Sequence, residues 1–130
     1  MKRASALTDL SKEHHTALVI SKKLKKAISD TECSTPKKFW DENRLKYADE
    51  LLPHFTEEER RFGHLLEPPL KDEFEDDHSY FRDTLKQTSK QLSTEQIIEF
   101  AERLIKHVRF EERTLFKWLE DHHPDDISTQ

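Results

Sequence analysis

In four successive stretches of this chain, apolar residues recur every three or four positions, and a few histidines and glutamates fall into the same rhythm. Only a helix puts such positions on one face, so the pattern predicts four helices, each with one inward stripe. The first runs from about Leu7 to Ile28, with Leu7, Leu10, His14, Ala17, Ser21, Leu24 and Ile28 inward. The second runs from about Pro36 to Leu66, with Trp40, Tyr47, Leu51, His54, Glu58 and Leu65 inward and Phe55 and Phe62 flanking them. The third spans about Leu70 to Leu92, with Phe74, His78, Phe81, Leu85 and Leu92 inward. The fourth spans about Thr94 to Asp121 and carries Ile97, Phe100, Leu104, His107, Glu111, Leu115 and Trp118.

The breaks between these stretches are chemically marked. A polar run over 29–36 ends in Pro36, a residue suited to a first helical turn. Pro68 and Pro69 stop the second stretch, and Ser93 stands three before Gln96 as a capping box requires. Four helices of this length joined by short loops predict an all-α fold, an up-down-up-down antiparallel four-helix bundle. Residues 1–130 then form one domain, with a core over about 7–120 and a polar, frayed tail over 122–130. Pro53 interrupts the second stretch; either the helix bends there, beside His54, or two shorter helices meet.

Composition narrows the class. The chain has one glycine, too few for the tight turns of a sandwich or barrel, and 38% charged residues, which suits helices with wet outer faces. Acidic and basic residues are interspersed around a net charge of −5, and Lys22, Lys23, Lys25 and Lys26 read as a solvated helix face. No nucleic-acid partner is therefore expected. No apolar run approaches the ~18 residues of a membrane span, and no apolar segment follows the charged N-terminus as in a signal peptide. Cys33 is alone, which points to a reducing cytoplasm.

The second and fourth stretches are copies of one motif. Residues 54–67 and 107–120 are identical at six of fourteen positions, and both open on His-x-x-x-Glu. The preceding helices correspond as well: Glu13-His14 lies four residues after Leu10, and Asp77-His78 four after Phe74. Each half of the chain is thus a helix with one histidine followed by a helix with His-x-x-x-Glu. Residues four apart share a face, so His54 and Glu58 point together, as do His107 and Glu111, all on apolar stripes. Two buried carboxylates facing each other are costly unless a cation joins them.

Two carboxylates able to bridge, with four imidazoles, suit two ions side by side. The donor set fits iron well; zinc or manganese are alternatives, and the absence of thiolate argues against a structural zinc site. Either His14 or His15 fills the first position, with His14 favoured by its place between Leu10 and Ala17 and by its match to His78. Tyr47, seven residues before His54, is either a core filler or a hydroxyl placed beside the metals. His64, His122 and His123 fall off the stripes.

These motifs resemble the hemerythrin-like (HHE) domains, over about residues 7–120. The resemblance implies an up-and-down bundle with a non-haem di-iron centre bridged by two carboxylates. The ligands would be His14, His54, Glu58, His78, His107 and Glu111. Oxygen-carrying hemerythrins have a histidine four before the residue matching His78, where this chain has Phe74. They also have an aspartate five after the histidine matching His107, where Glu111 follows by four. The pattern instead resembles the H–HxxxE–H–HxxxE subgroup of bacterial hemerythrin-like proteins. Losing the fifth histidine makes the two iron positions more alike and opens a coordination position. The expected function is binding or sensing of dioxygen, nitric oxide or peroxide, with any output passed through a protein partner. The alternatives are an enzyme reducing peroxide or nitric oxide, or an iron store or donor.

Overall fold

A computed structural model describes residues 5–29 and 35–128. Cys33 lies outside the described residues, as does the Ile28 side chain. The protein is all-α, with no strand among the described residues. Its long helices are α1 (Ser5–Ser29), α2 (Thr35–Phe62), α3 (Leu70–Leu85) and α4 (Thr94–Phe110). A 3-10 turn, Gly63–Leu65, closes α2, and a π turn, Glu111–Leu115, joins α4 to α5 (Phe116–His122). A last helix, α6, covers Pro124–Ser128. None of the helices is long and apolar enough to cross a membrane.

The stripes are buried largely as their spacing predicts. α1 buries Leu7, Leu10, His14, Ala17, Ser21 and Leu24, and the four lysines after Ser21 are exposed. Ser93 caps α4 through the capping box, its hydroxyl accepting from the Gln96 amide while the Gln96 side chain accepts from the Ser93 amide. α2 runs unbroken through Pro53, so two shorter helices do not meet there. Proline leaves the carbonyl four residues back without its helical donor; that residue, Asp49, is exposed and water can serve it.

Four details depart from the periodic reading. α3 ends at Leu85, and Leu92 is buried from the turn that follows. The 3-10 turn after Phe62 tightens the backbone and buries Leu66 instead of Leu65. The π turn slips one extra residue into α4, so Phe116 and Leu119 are buried and Trp118 is only half-buried. The tail is not frayed as far as Ser128. In α6, Ile127 is 1% exposed and joins a core cluster with Leu7, Leu10 and Phe116. Ile127→Ala should therefore cost about 2 kcal/mol, the low end for a buried isoleucine because a terminal helix can detach. A urea midpoint unchanged from wild type would show that the tail adds nothing.

The apolar interior divides into two clusters. One joins Ala17–Leu24 of α1 to Trp40, Tyr47, Leu51 and Phe55 of α2, the C-terminal half of α3 and most of α4. The other joins Leu7 and Leu10 of α1 to Phe62 and Leu66, Phe74 of α3, and Leu115, Phe116 and Leu119. Among the long helices, α1 packs on α2 and α4, α3 packs on the same two, and α2 also meets α4. The histidines and glutamates of the inward stripes lie between the two clusters.

Candidate metal centre

Each long helix delivers polar side chains to this middle layer. α1 brings His14, α2 brings His54 and Glu58, α3 brings His78, and α4 with its π turn brings His107 and Glu111. All six are buried, the two glutamates at 0% exposure. They form two overlapping groups, His14, His54, Glu58, Glu111 and Glu58, His78, His107, Glu111, so both carboxylates belong to both groups. Within each group one donor atom per residue lies within 4.8 Å of the others. Two donors on opposite sides of one ion at ~2.2 Å would be ~4.4 Å apart, so each group has the dimensions of an ion site.

Four of the inward atoms are left without partners. His54 Nε2, His107 Nε2, Glu58 Oε2 and Glu111 Oε2 are buried and make no hydrogen bond. His54 Nε2 comes within 3.3 Å of Glu58 Oε2, and His107 Nε2 within 3.3 Å of Glu111 Oε1, yet neither pair is aligned to bond. His14 Nε2 approaches Glu111 Oε1 at 2.8 Å and His78 Nε2 approaches Glu58 Oε1 at 3.1 Å. Buried polar atoms are nearly always satisfied, so four orphans in one layer are an anomaly that a cation would remove.

The outward nitrogens are all satisfied, and in a closed ring. His54 Nδ1 donates to Glu13 Oε1 (2.6 Å), and His78 Nδ1 donates to Glu59 Oε2 (2.7 Å). His107 Nδ1 donates to Asp77 Oδ2 (2.9 Å), and His14 Nδ1 to Glu112 Oε2 (2.6 Å). Each acid is the sequence neighbour of an inward residue on the helix before, and it serves the histidine of the next helix around the ring. A carboxylate on Nδ1 fixes the ring and its tautomer so that Nε2 presents a lone pair inward, the usual support of a metal-bound histidine.

Electrostatics agree with the geometry. Burial alone would lower His14 and His107, but the carboxylates around them outweigh it and raise them to about 11 and about 10. Burial alone would raise Glu58, but the imidazoles of His14, His54 and His78 hold it well below the usual carboxylate range. Without metal, the two histidines therefore carry protons at neutral pH. A raised folded pKa gives stability that is complete below the unfolded value of 6.5 and is lost as pH rises toward 10–11. A metal-bound histidine has no such proton to lose. The difference in melting temperature between loaded and stripped protein should therefore widen from pH 6.5 to 9. A constant difference across that window would contradict the assignment of these histidines.

Of the two adjacent candidates on α1, His14 is 3% exposed and inward, whereas His15 is exposed. Tyr47 packs in the first cluster with its ring 6.4 Å from that of Phe39, two helical turns or ~10 Å along α2 from His54. Its hydroxyl is buried without a hydrogen bond, and burial pushes the phenol up to about 12. His122 and His123 lie off the centre, one stacked on Trp118 at 4.9 Å and the other facing Asp126 at 3.2 Å.

The spacing did not reveal the four outer acids or Phe116, which stacks on His14 at 5.5 Å. The acids left a signal: Glu13 and Asp77 each precede a matched histidine, and Glu59 and Glu112 each follow a matched glutamate. A cleft of about 560 Å³ between α2 and α3 reaches the outer side of His78, past Gly63, Phe74 and Arg82. The His78 ring is itself 1% exposed, so the cleft stops at that side chain. No model of a known protein family, no curated protein and no solved structure matches this chain.

Proposed function

We propose that this protein is a single hemerythrin-like domain that holds two iron ions and binds or senses a small ligand: dioxygen, nitric oxide or peroxide. The observation that carries this reading is the pair of overlapping four-residue groups, in which each group holds an imidazole nitrogen and two carboxylate oxygens that are buried without partners. An up-down-up-down antiparallel bundle is supported by the two core clusters. Residues from the C-terminal half of α1 share a cluster with Trp40 to Phe55 of α2, and the N-terminal end of α1 shares one with Phe62 at the C-terminal end of α2. α3 and α4 alternate in the same way, as antiparallel neighbours do.

Imidazole and carboxylate donors without thiolate favour iron, with zinc or manganese as the competing ions. His14, His54, Glu58, His78, His107 and Glu111 would hold the two ions, each ion taking two histidines and sharing both glutamates. Two histidines and two shared glutamates would leave an iron ion room for a small ligand. Bound iron would supply redox change and a place for the ligand. The chain's residues orient the donors, through the four outer acids, and keep bulk water away by packing Phe55, Phe74, Phe81 and Phe116 around the imidazoles. Tyr47, the acid that a turnover reading would call on, sits two turns from His54 in the first cluster, which favours binding over catalysis.

The test is metal analysis with an optical spectrum, repeated after reduction and on exposure to air. About two irons per chain with near-ultraviolet bands of a bridged ferric pair are expected. The reduced protein should react with dioxygen without forming a long-lived adduct. Protein from iron-replete medium that retains no transition metal would sink the reading, and a stable, reversible oxygen adduct would turn it toward a carrier.

A further inference from the structure

A second cleft, of about 410 Å³, opens between α3 and α4. α4 and the π turn after it contribute Arg103, Lys106, Arg109 and Arg113 to its wall, and α3 contributes Glu73 and Asp77. The chain carries a net charge of −5 with acids and bases interspersed, so four cations around one cleft are a local reversal of sign. Their spacing of three, three and four residues places them on successive turns of one flank.

The acids opposite do not cancel this charge. Asp77 is already engaged, accepting from Arg103 Nη2 at 3.0 Å and from His107 Nδ1 at 2.9 Å. The Glu73 carboxylate is exposed and forms no ion pair with a described residue. The side chains of Lys106, Arg109 and Arg113 are exposed as well, and none forms an ion pair or hydrogen bond with a described residue. Arg103 is held in place, its guanidinium 3.8 Å above the Tyr80 ring, and Asp77 takes one of its several N–H donors. One cation is thus set in position and three are uncommitted, which lowers the ordering cost of a ligand at Arg103.

Guanidinium forks match the oxygens of phosphate and carboxylate, and phosphate brings more charge and more oxygens per group. Arg103 and Arg113 stand ten residues apart, roughly 15 Å along the helix, so linked phosphate groups use the array better than one. The cleft volume falls in the range of about 300–1,000 Å³ usual for small-molecule sites. The geometry points to a binding site for a small oligophosphate, either inorganic pyrophosphate or the phosphate tail of a nucleotide. Lys106, Arg109 and Arg113 close on it, and Arg103 anchors it beside Asp77.

The test is isothermal titration calorimetry with inorganic pyrophosphate, run beside orthophosphate, ADP and an octaglutamate peptide. Pyrophosphate should bind saturably, one per chain, and about tenfold more tightly than orthophosphate. ADP binding more tightly than pyrophosphate would name a nucleotide as the source, and weaker ADP binding an inorganic ligand. Lys106→Gln and Arg113→Gln should each weaken pyrophosphate binding about tenfold, and Glu73→Gln should tighten it. All three residues are exposed, so the fold should tolerate these changes. Lys22→Gln and Lys25→Gln remove the same charge from the exposed face of α1 and should leave the affinity unchanged. Phosphates also bind metal ions, so the titration is repeated on Glu58→Gln, which alters the metal layer and spares the cleft. The affinity should again be unchanged. No saturable binding, equal weakening by the α1 substitutions, loss of binding in Glu58→Gln, or a preference for octaglutamate would overturn the proposal.

Discussion

Glu58→Gln should strip the protein of both ions, whereas His78→Ala should lose one. The distinction follows from the sharing of donors: Glu58 and Glu111 belong to both groups, and each histidine belongs to one. The amide of glutamine has nearly the volume of the carboxylate, so packing around a 0%-exposed site changes little, but the negative charge between the two positions is gone. A charge that bridges two cations cannot be replaced by a dipole at the same place. Loss of a support behind a ligand already costs 10–100-fold in affinity, and loss of a shared ligand should cost more than ~100-fold at each position. Metal content per chain, measured beside a circular dichroism spectrum to verify the helices, checks this. Full retention of two ions in Glu58→Gln would place the ions elsewhere. Glu111→Gln should behave as Glu58→Gln does, since the repeat gives the two residues the same place.

The second large effect is thermal. Removing the metal should lower the melting temperature by roughly 10–20 °C. A ligand present at about 1,000 times its dissociation constant stabilises the folded state by ~4 kcal/mol. For a chain of this size each kcal/mol shifts the midpoint by ~3–5 °C. Stripping leaves the layer between the two clusters with two buried carboxylates and unpartnered imidazole nitrogens, which sets the direction of the change. Differential scanning calorimetry before and after chelation, then after metal is restored, separates reversible loss of metal from damage. A midpoint unmoved by stripping would mean that the centre does not hold metal in the folded protein.

Much of the fold and the candidate site can be read without coordinates. The inward stripes of α1 and α4 follow from spacing, and the doubled His-x-x-x-Glu motif picks out the six residues that meet in the middle layer. Where the reading slipped, the helix itself changed its period. At Gly63–Leu65 the turn tightens, and at Glu111–Leu115 it widens, so the inward face moves by one residue, from Leu65 to Leu66 and from Trp118 to Leu119, and Phe116 is buried beside Leu115. A fixed 3.6-residue period cannot anticipate either shift. The widened turn has a consequence for the site, since it brings the Phe116 ring onto His14. The buried Ile127 was likewise hidden, because a lone apolar residue among Asp, Ser and Thr has no period to betray it.

By itself the sequence determined which side chains share a helix face, because the helical period is a local property of the backbone. That was enough to align four histidines and two glutamates, and to settle most of the core. Only the tertiary structure decided what stands behind each histidine. An immediate sequence neighbour is turned ~100° around its helix, away from the stripe and toward the flank. Whether that flank meets another helix, and which one, depends on contacts between residues far apart in the chain. Glu13 therefore looks like one more wet acid until α1 and α2 pack together and its carboxylate reaches His54. The same packing brings Arg82 to Glu59 and Arg103 to Asp77.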